Sequence, residues 1–242
     1  MLEFSKYSDI LLGAFLQHSR KADVLAKKKE IFDTVCELHN FAPDNILFMG
    51  FTPMALVTPN KNISICGASS ESVAFLTSMG KNVTVIEISD LHKYSKQFDC
   101  VVAMDENFTY ADSEDSQRDK VTDFCKLTTD LLITTLRDYK NQDYKDREFS
   151  QPAAIRHGNM ITAYLEFHNI DFRNRVEWQT TVFELGQQLV SHGPFARRAM
   201  FFKQMAKYTK DAGAVDFLVH KNLMYKSLIK KNYEHVISIK FE

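Results

Sequence analysis

A chain of 242 residues, 45% hydrophobic and 25% charged, has the composition of an ordinary globular protein. It is long enough to bury a large core and fits one embellished domain better than two full ones. Lys+Arg 30 against Asp+Glu 31 leaves a formal net charge of -1, so no global basic field draws the protein to nucleic acid or to an anionic membrane. No apolar run approaches the ~18 residues of a membrane span. Met1-Leu2-Glu3-Phe4-Ser5-Lys6 lacks the charged and apolar regions of a signal peptide, and the expectation is a cytoplasmic protein. Cys36, Cys66, Cys100 and Cys125 are far apart in apolar stretches with no CxxC pair; they read as free thiols of a reducing compartment and not as a zinc site.

The chain opens helical, with Ile10, Leu11, Ala14 and Phe15 at helical spacing. A second helix is predicted over 21–39, with Val24, Leu25, Ile31, Phe32, Val35 and Leu38 on its inner face and Pro43 closing the region. Five short apolar runs come next. They are Ile46-Leu47-Phe48-Met49 before Gly50, Ile63-Ser64-Ile65-Cys66 before Gly67, 83–88, Cys100-Val101-Val102-Ala103-Met104 before Asp105, and 131–136. Runs of this kind suit parallel strands buried on both faces. Between them, Ser69 or Ser70 caps a helix through Met79, with Val73, Leu76 and Met79 as inner positions and Gly80 just past the end. A longer helix is predicted over 116–128, with Val121, Phe124, Cys125 and Leu127 inward and the acidic stretch 112–119 as its solvated start. Strand, helix, strand at this rhythm predicts an open parallel sheet with right-handed crossovers.

After Tyr139 the texture changes. Residues 141–151 are polar and read as a surface loop. Residues 161–168 and 176–185 alternate, which predicts an antiparallel hairpin. A helix over 198–212 stops near Gly213, and 215–219 and 236–241 form the last strands.

Three stretches carry a likeness to a known family. One runs from Ser69-Ser70-Glu71-Ser72 to Gly80-Lys81-Asn82-Val83, a helix delivering the chain to a strand. The second is the short link from Glu87 into Phe98-Asp99-Cys100-Val101-Val102-Ala103. The third is the tail, Asp211-Ala212-Gly213 before a strand and Ile237-Ser238-Ile239-Lys240-Phe241 at the close. Over residues 40 to 242 the chain resembles the class I S-adenosylmethionine (SAM) methyltransferases. The resemblance implies an α/β, Rossmann-like fold: a mostly parallel seven-stranded sheet with helices on both faces, an antiparallel last strand and an inserted β-hairpin. It implies a single domain over 1–242, with a helical cap at 1–40 and a loop plus hairpin at 141–197. It also implies SAM as cofactor and methyl transfer to a small polar molecule.

The sequence departs from the family where the cofactor binds. The glycine-rich loop after the first strand corresponds to Phe48-Met49-Gly50-Phe51-Thr52-Pro53-Met54, in which Gly50 alone survives. Phe48 holds the acid position, and Gly67 stands where the second strand usually ends in a ribose-binding acid. A rival alignment starts at Ile63, making 66–71 the loop and Glu87 the ribose acid. It loses one strand–helix unit and leaves 46–49 unexplained, so the first alignment is preferred.

Ligands of open parallel sheets bind beyond the carboxyl ends of the strands. On the resemblance, Gly50, Phe51 and Thr52 lie near the methionine moiety, Gly67, Ala68 and Ser69 face the ribose, and Glu87 and Asp90 lie near the adenine. Asp105, Glu106 and Asn107 face the methyl acceptor, where two acids and an amide can orient an amine or act as a base. Ser69 serves equally as a helix cap. Glu87, interrupting an apolar run, reads as a buried or half-buried carboxylate that needs partners. Arg137-Asp138-Tyr139-Lys140 read as solvated. His157, His168, His192 and Trp178 lie in or beside the hairpin and read as solvated or packing residues. No HxxxH or HExxH spacing supports a metal. The Asn/Asp-Pro-Pro-aromatic motif is missing, which argues against methylation of adenine or cytosine amino groups. The competing reading is an inactive methyltransferase-fold binding or assembly protein. A dinucleotide binder lacks its GxGxxG. Expected partners are a small-molecule substrate and, as an option, a second copy of the chain in a homo-oligomer. Filling of the cleft by Phe48, Phe51 or Met54 would favour the assembly reading.

Overall fold

The computed structural model describes residues 18–104, 113–137, 198–226 and 233–242, positions 8, 11–13, 15, 16, 107–109 and 111, and the strand backbones within 147–197. An N-terminal segment is helical at 8, 11–13, 15 and 16. Helix α1 (Lys21–Leu38) comes next and buries Ile31, Phe32 and Val35. Leu38, expected inward, is 57% exposed, because the helix ends there.

Strand β1 (Ile46–Met49) leads to the short α2 (Met54–Val57), then β2 (Asn62–Cys66), α3 (Ser70–Ser78) and β3 (Asn82–Ile86). A 3-10 stretch, Ile88–Tyr94, enters β4 (Phe98–Ala103). A 3-10 turn, Asn107–Thr109, precedes α4 (Glu114–Leu127) and β5 (Thr128–Arg137). Then come β6 (Arg147–Phe149), β7 (Ala153–His157), β8 (Met160–Asp171), β9 (Val176–Leu185) and β10 (Gln188–Arg198). The chain ends with α5 (Phe202–Asp211), β11 (Asp216–Lys226) and β12 (Tyr233–Lys240).

The main sheet has seven strands in the order β3-β2-β1-β4-β5-β12-β11. Strands β1 to β5 pair in parallel, and β12 runs antiparallel to both β5 and β11. The mostly parallel sheet with an antiparallel last strand is therefore as predicted. Ile46–Met49 lies between β2 and β4, which rules out the alignment that began at Ile63. β3 is an edge strand, so Val85 is 48% exposed and the expectation of burial on both faces fails there. Met79, expected inward, is 56% exposed at the end of α3.

The insertion forms a second, antiparallel sheet. β8 and β9 are the predicted hairpin. β10 adds to β9, and β6 and β7 both pair with β8, so the insertion is larger than one hairpin and β6 falls in the predicted loop. Gly193-Pro194 breaks the alternation of β10, and its register with β9 shifts between His192 and Phe195. That interruption hides the strand from a period-two reading. The side chains of His157, His168, Trp178 and His192 lie outside the described residues.

Alternation sends successive side chains to opposite faces of the sheet. One face gathers Ile46, Phe48, Val102, Ile133 and Val236 with Ile31, Phe32 and Val35 of α1. The other gathers Leu47, Met49, Val101, Leu132 and Ile237 with α4 and α5. The Asp99 carboxylate accepts hydrogen bonds from the Asp44 and Asn45 amides at 2.9 and 3.0 Å, tying the entry of β1 to β4. Arg137, read as solvated, is 2% exposed, because β5 runs on to it and pairs it with Glu234 of β12, itself 1% exposed.

A polar bracket fixes α1 to the far side of the sheet. The Ser238 hydroxyl, fully buried, lies 2.8 Å from Nε2 of His39 and 2.8 Å from Nε2 of His220. A hydroxyl has one proton to give. It also has two lone pairs, so at most one ring accepts from it, and a ring that accepts through Nε2 is neutral. Burial lowers the pKa of His39, partly offset by Asp216, with Lys240 lowering it further. Burial and then His39 lower that of His220. A folded pKa below the unfolded one gives stability that is present above the unfolded value and is lost as pH falls through the folded value. Denaturation midpoints should therefore fall as pH drops below about 6.5. The double variant His39→Asn, His220→Asn should show a shallower fall, and an unchanged slope would show that the bracket does not carry the effect.

Candidate active site

The chain crosses from β1 to β2 and β3 on one side, then returns to β4 on the other. The switch point lies between β1 and β4, and the candidate site is built from the loops that leave the carboxyl ends of β1 to β4.

Strand β1 must leave the sheet at once. Gly50 does this with φ +79, a conformation that costs other residues a Cβ clash. Its amide donates to the Cys66 carbonyl at 2.7 Å, so the ends of β1 and β2 lie abreast. Gly67, at φ +70, makes the same kind of turn after β2. The structure thus brings Gly50, Phe51 and Thr52 beside Gly67, Ala68 and Ser69. Phe51 is 1% exposed, Thr52 3% and Met54 0%. The Ser69 hydroxyl accepts from the Ser72 amide at 3.1 Å and caps α3.

Glu87 and Asp90 lie one strand further out, after β3. Glu87 is exposed, which corrects the expectation of a half-buried carboxylate: β3 is the sheet edge and ends at Ile86. Asp90 pairs with Lys93 at 2.7 Å. Asp105 and Glu106 lie outside the described residues, as does the side chain of Asn107, whose backbone opens the 3-10 turn after β4.

Sequence reasoning missed two groups. The first is Ser8, 1% exposed in the N-terminal segment. Its hydroxyl donates to the Gly67 carbonyl at 2.9 Å and accepts from the Phe51 amide at 3.0 Å. Phe15 of the same segment meets Phe51 and Phe75 with ring centroids 6.3 and 6.2 Å apart, and Phe51 meets Phe75 at 6.1 Å. The apolar stripe flagged Phe15, but no local pattern flags Ser8. The second is the first turn of α4. The Gln117 amide group donates to the carbonyls of Arg198 at 2.8 Å and Phe108 at 3.4 Å. Tyr208 and Gln204 of α5 donate to the Glu114 carboxylate at 2.9 and 3.3 Å, and Arg198 lies 3.8 Å from it. This turn holds the exit of the insertion and α5 beside the loop after β4.

The backbone fits a SAM seat in its two left-handed glycine turns. The side chains do not fit it in this conformation. The loop glycines are replaced by buried Thr52 and Met54, the ribose acid by Gly67, and the inward amide of Phe51 and carbonyl of Gly67 are already bonded to Ser8. A cavity of about 370 Å³ lies elsewhere, at the amino-terminal edge of the sheet, among Phe32, Cys36, Glu37, Phe41 and Pro59. Burial pushes the thiols up, Cys36 to about 11 and Cys66 and Cys125 to about 12, so none of these three is a ready nucleophile at neutral pH. Among the described residues there is no group of three or more His, Cys, Asp and Glu placed to hold a metal. No helix among them is long and apolar enough to cross a membrane.

Solved structures share this architecture along nearly the whole chain. A SAM-dependent methyltransferase from Clostridium acetobutylicum superposes with TM-score 0.64 at 14% identity, covering 92% of this chain and 94% of its own. DesVI of Streptomyces venezuelae gives 0.65 at 11%, covering 98% and 97%. CalS10, a SAM-bound amino pentose methyltransferase of Micromonospora echinaspora, gives 0.60 at 9%, covering 90% and 91%. No protein-family model matches the sequence, and neither does any curated protein. The chain has the class I SAM methyltransferase fold.

Gly50→Ala should cost about 1–2 kcal/mol of stability, because its Cβ would meet the following carbonyl in the left-handed turn. Urea denaturation measures this, and no loss would mean that the turn relaxes freely.

Proposed function

We propose that this protein is a SAM-dependent methyltransferase acting on a small polar molecule. The observation that carries the reading is the pair of left-handed glycine turns, Gly50 and Gly67, side by side at the carboxyl ends of β1 and β2 beside the switch point of a complete seven-stranded sheet. In this reading Gly50, Phe51 and Thr52 line the methionine end of the cofactor seat. Gly67, Ala68 and Ser69 line its middle, and Glu87 and Asp90 its outer end. In the same reading Asp105, Glu106 and Asn107, which follow β4 in the sequence, orient the acceptor, and a carboxylate takes its proton. The amino-sugar activity of CalS10 supports an amine-bearing small molecule as acceptor. A cytoplasmic location belongs to the same reading, in keeping with four free cysteines.

One observation favours a second reading, a methyltransferase-fold binding or assembly protein that uses no cofactor. Phe51 and Met54 are buried and the rings of Phe15, Phe51 and Phe75 pack together where the cofactor loop should open. Isothermal calorimetry with SAM and S-adenosylhomocysteine separates the two. Micromolar binding, weaker in Glu87→Ala, is the expected result. Absence of heat with either ligand at millimolar concentration would hand the protein to the second reading.

A further inference from the structure

The main sheet ends on two different edges. One is β11, which carries Asp216, His220 and Lys221 and shifts register against β12 between His220 and Met224. Charges and a register break of this kind keep an edge from pairing with another chain. The other edge is β3, Asn82-Val83-Thr84-Val85-Ile86, which has no charge, proline or glycine and keeps its register with β2 throughout. The Asn82 amide donates to the Lys61 carbonyl at 2.8 Å, on the β2 side. Backbone groups of successive strand residues point to opposite sides in the plane of the sheet. Thr84 and Ile86 therefore also face β2, and the amides and carbonyls of Val83 and Val85 face outward. Exposed apolar surface accompanies them. Val85 is 48% exposed, and Met79, at the end of the helix that leads into β3, is 56% exposed.

We propose that β3 is the interface of a two-fold dimer, in which the β3 strands of two copies of this chain pair antiparallel with Thr84 opposite Thr84. Hydrogen bonding, packing and charge all select this register. Val83 of each copy falls opposite Val85 of the other, and both present their amide and carbonyl outward, so each pair exchanges both of its backbone hydrogen bonds. Val83 and Val85 share one face of the strand, so each exposed Val85 side chain is covered by Val83 of the second copy. Lys81 falls opposite Glu87. Glu87 is exposed, and the Lys81 ammonium is fixed at this edge by the carbonyls of Thr58 and Asn60, each at 2.8 Å. A register centred on Val83 or Val85 loses this pairing of opposite charges. The edge thus complements itself in hydrogen bonds, apolar surface and charge, which is the requirement of an isologous interface and names a second copy as the occupant. The inference does not depend on cofactor binding.

Sedimentation of the full chain over a micromolar concentration series should give a species of twice the chain's mass. Val85→Lys places a charge at a position the single copy already exposes, so the fold is kept, while both Val83–Val85 pairs of the dimer receive a cation. Its dimer dissociation constant should rise by about tenfold or more. Thr84→Cys tests the register itself. Thr84 is exposed and lies on the two-fold axis in a non-hydrogen-bonded pair, where facing Cα atoms are about 4.5 Å apart and within reach of a disulfide. Oxidation should lock this variant as a covalent dimer on a non-reducing gel, whereas Asn82→Cys, opposite Ile86, should stay unlocked. A wild-type protein that remains monomeric through the series would overturn the proposal. So would a dimer that Val85→Lys leaves intact or that Thr84→Cys does not lock, since two copies would then meet elsewhere or in another register. Should Val85→Lys fail to fold, the Thr84→Cys crosslink decides alone.

Discussion

The arrangement depends on a four-residue strand that has nowhere to continue. β1 is fully buried and hydrogen-bonded to β2 on one side and β4 on the other. Its end must turn off the sheet within one residue, and Gly50 does so in the left-handed region while its amide stays bonded to Cys66. That bond sets the loops after β1 and β2 abreast. The groove between them, and the switch point beside it, result from this one turn. Ligand binding at this end of the sheet turns on the contents of that groove.

The groove is filled here by the chain itself. Ser8 takes the polar positions, and Phe15, Phe51 and Phe75 take the apolar ones. Phe15 and Phe51 are buried and Phe75 partly so, and burying a ring stabilises by about 1.5–3 kcal/mol. The Phe51 amide and the Gly67 carbonyl, from the loops after β1 and β2, are thereby satisfied from the N-terminal segment.

Away from the groove, two polar devices hold elements that are distant in sequence. The first turn of α4, through Gln117 and Glu114, fastens the return of the insertion and α5 to the loop after β4. The Ser238 hydroxyl, between His39 and His220, fastens the end of α1 to β11 and β12. Gln117 and Ser238, both fully buried, are stable only when their partners are present.

The sequence alone determined the order of β1 to β5 and of α1, α3 and α4 among them, with a cap at Ser69 or Ser70. Each is written in local terms, as apolar period, capping residue or turn glycine, and the described elements fall within a few residues of the prediction. The β8–β9 hairpin was legible for the same reason, while β10 was not, because Gly193-Pro194 interrupts its alternation. Of the candidate site, Gly50, Gly67 and the loops they open could be placed from the sequence. The state of the groove could not. Ser8 lies 43 residues from the Phe51 amide and 59 from the Gly67 carbonyl it bonds, and His39 lies 199 from Ser238. The burial of Arg137 depends on where β12 pairs. Such contacts leave no periodic trace, since they are chosen by which surfaces the folded sheet brings together, and only the tertiary structure decides them.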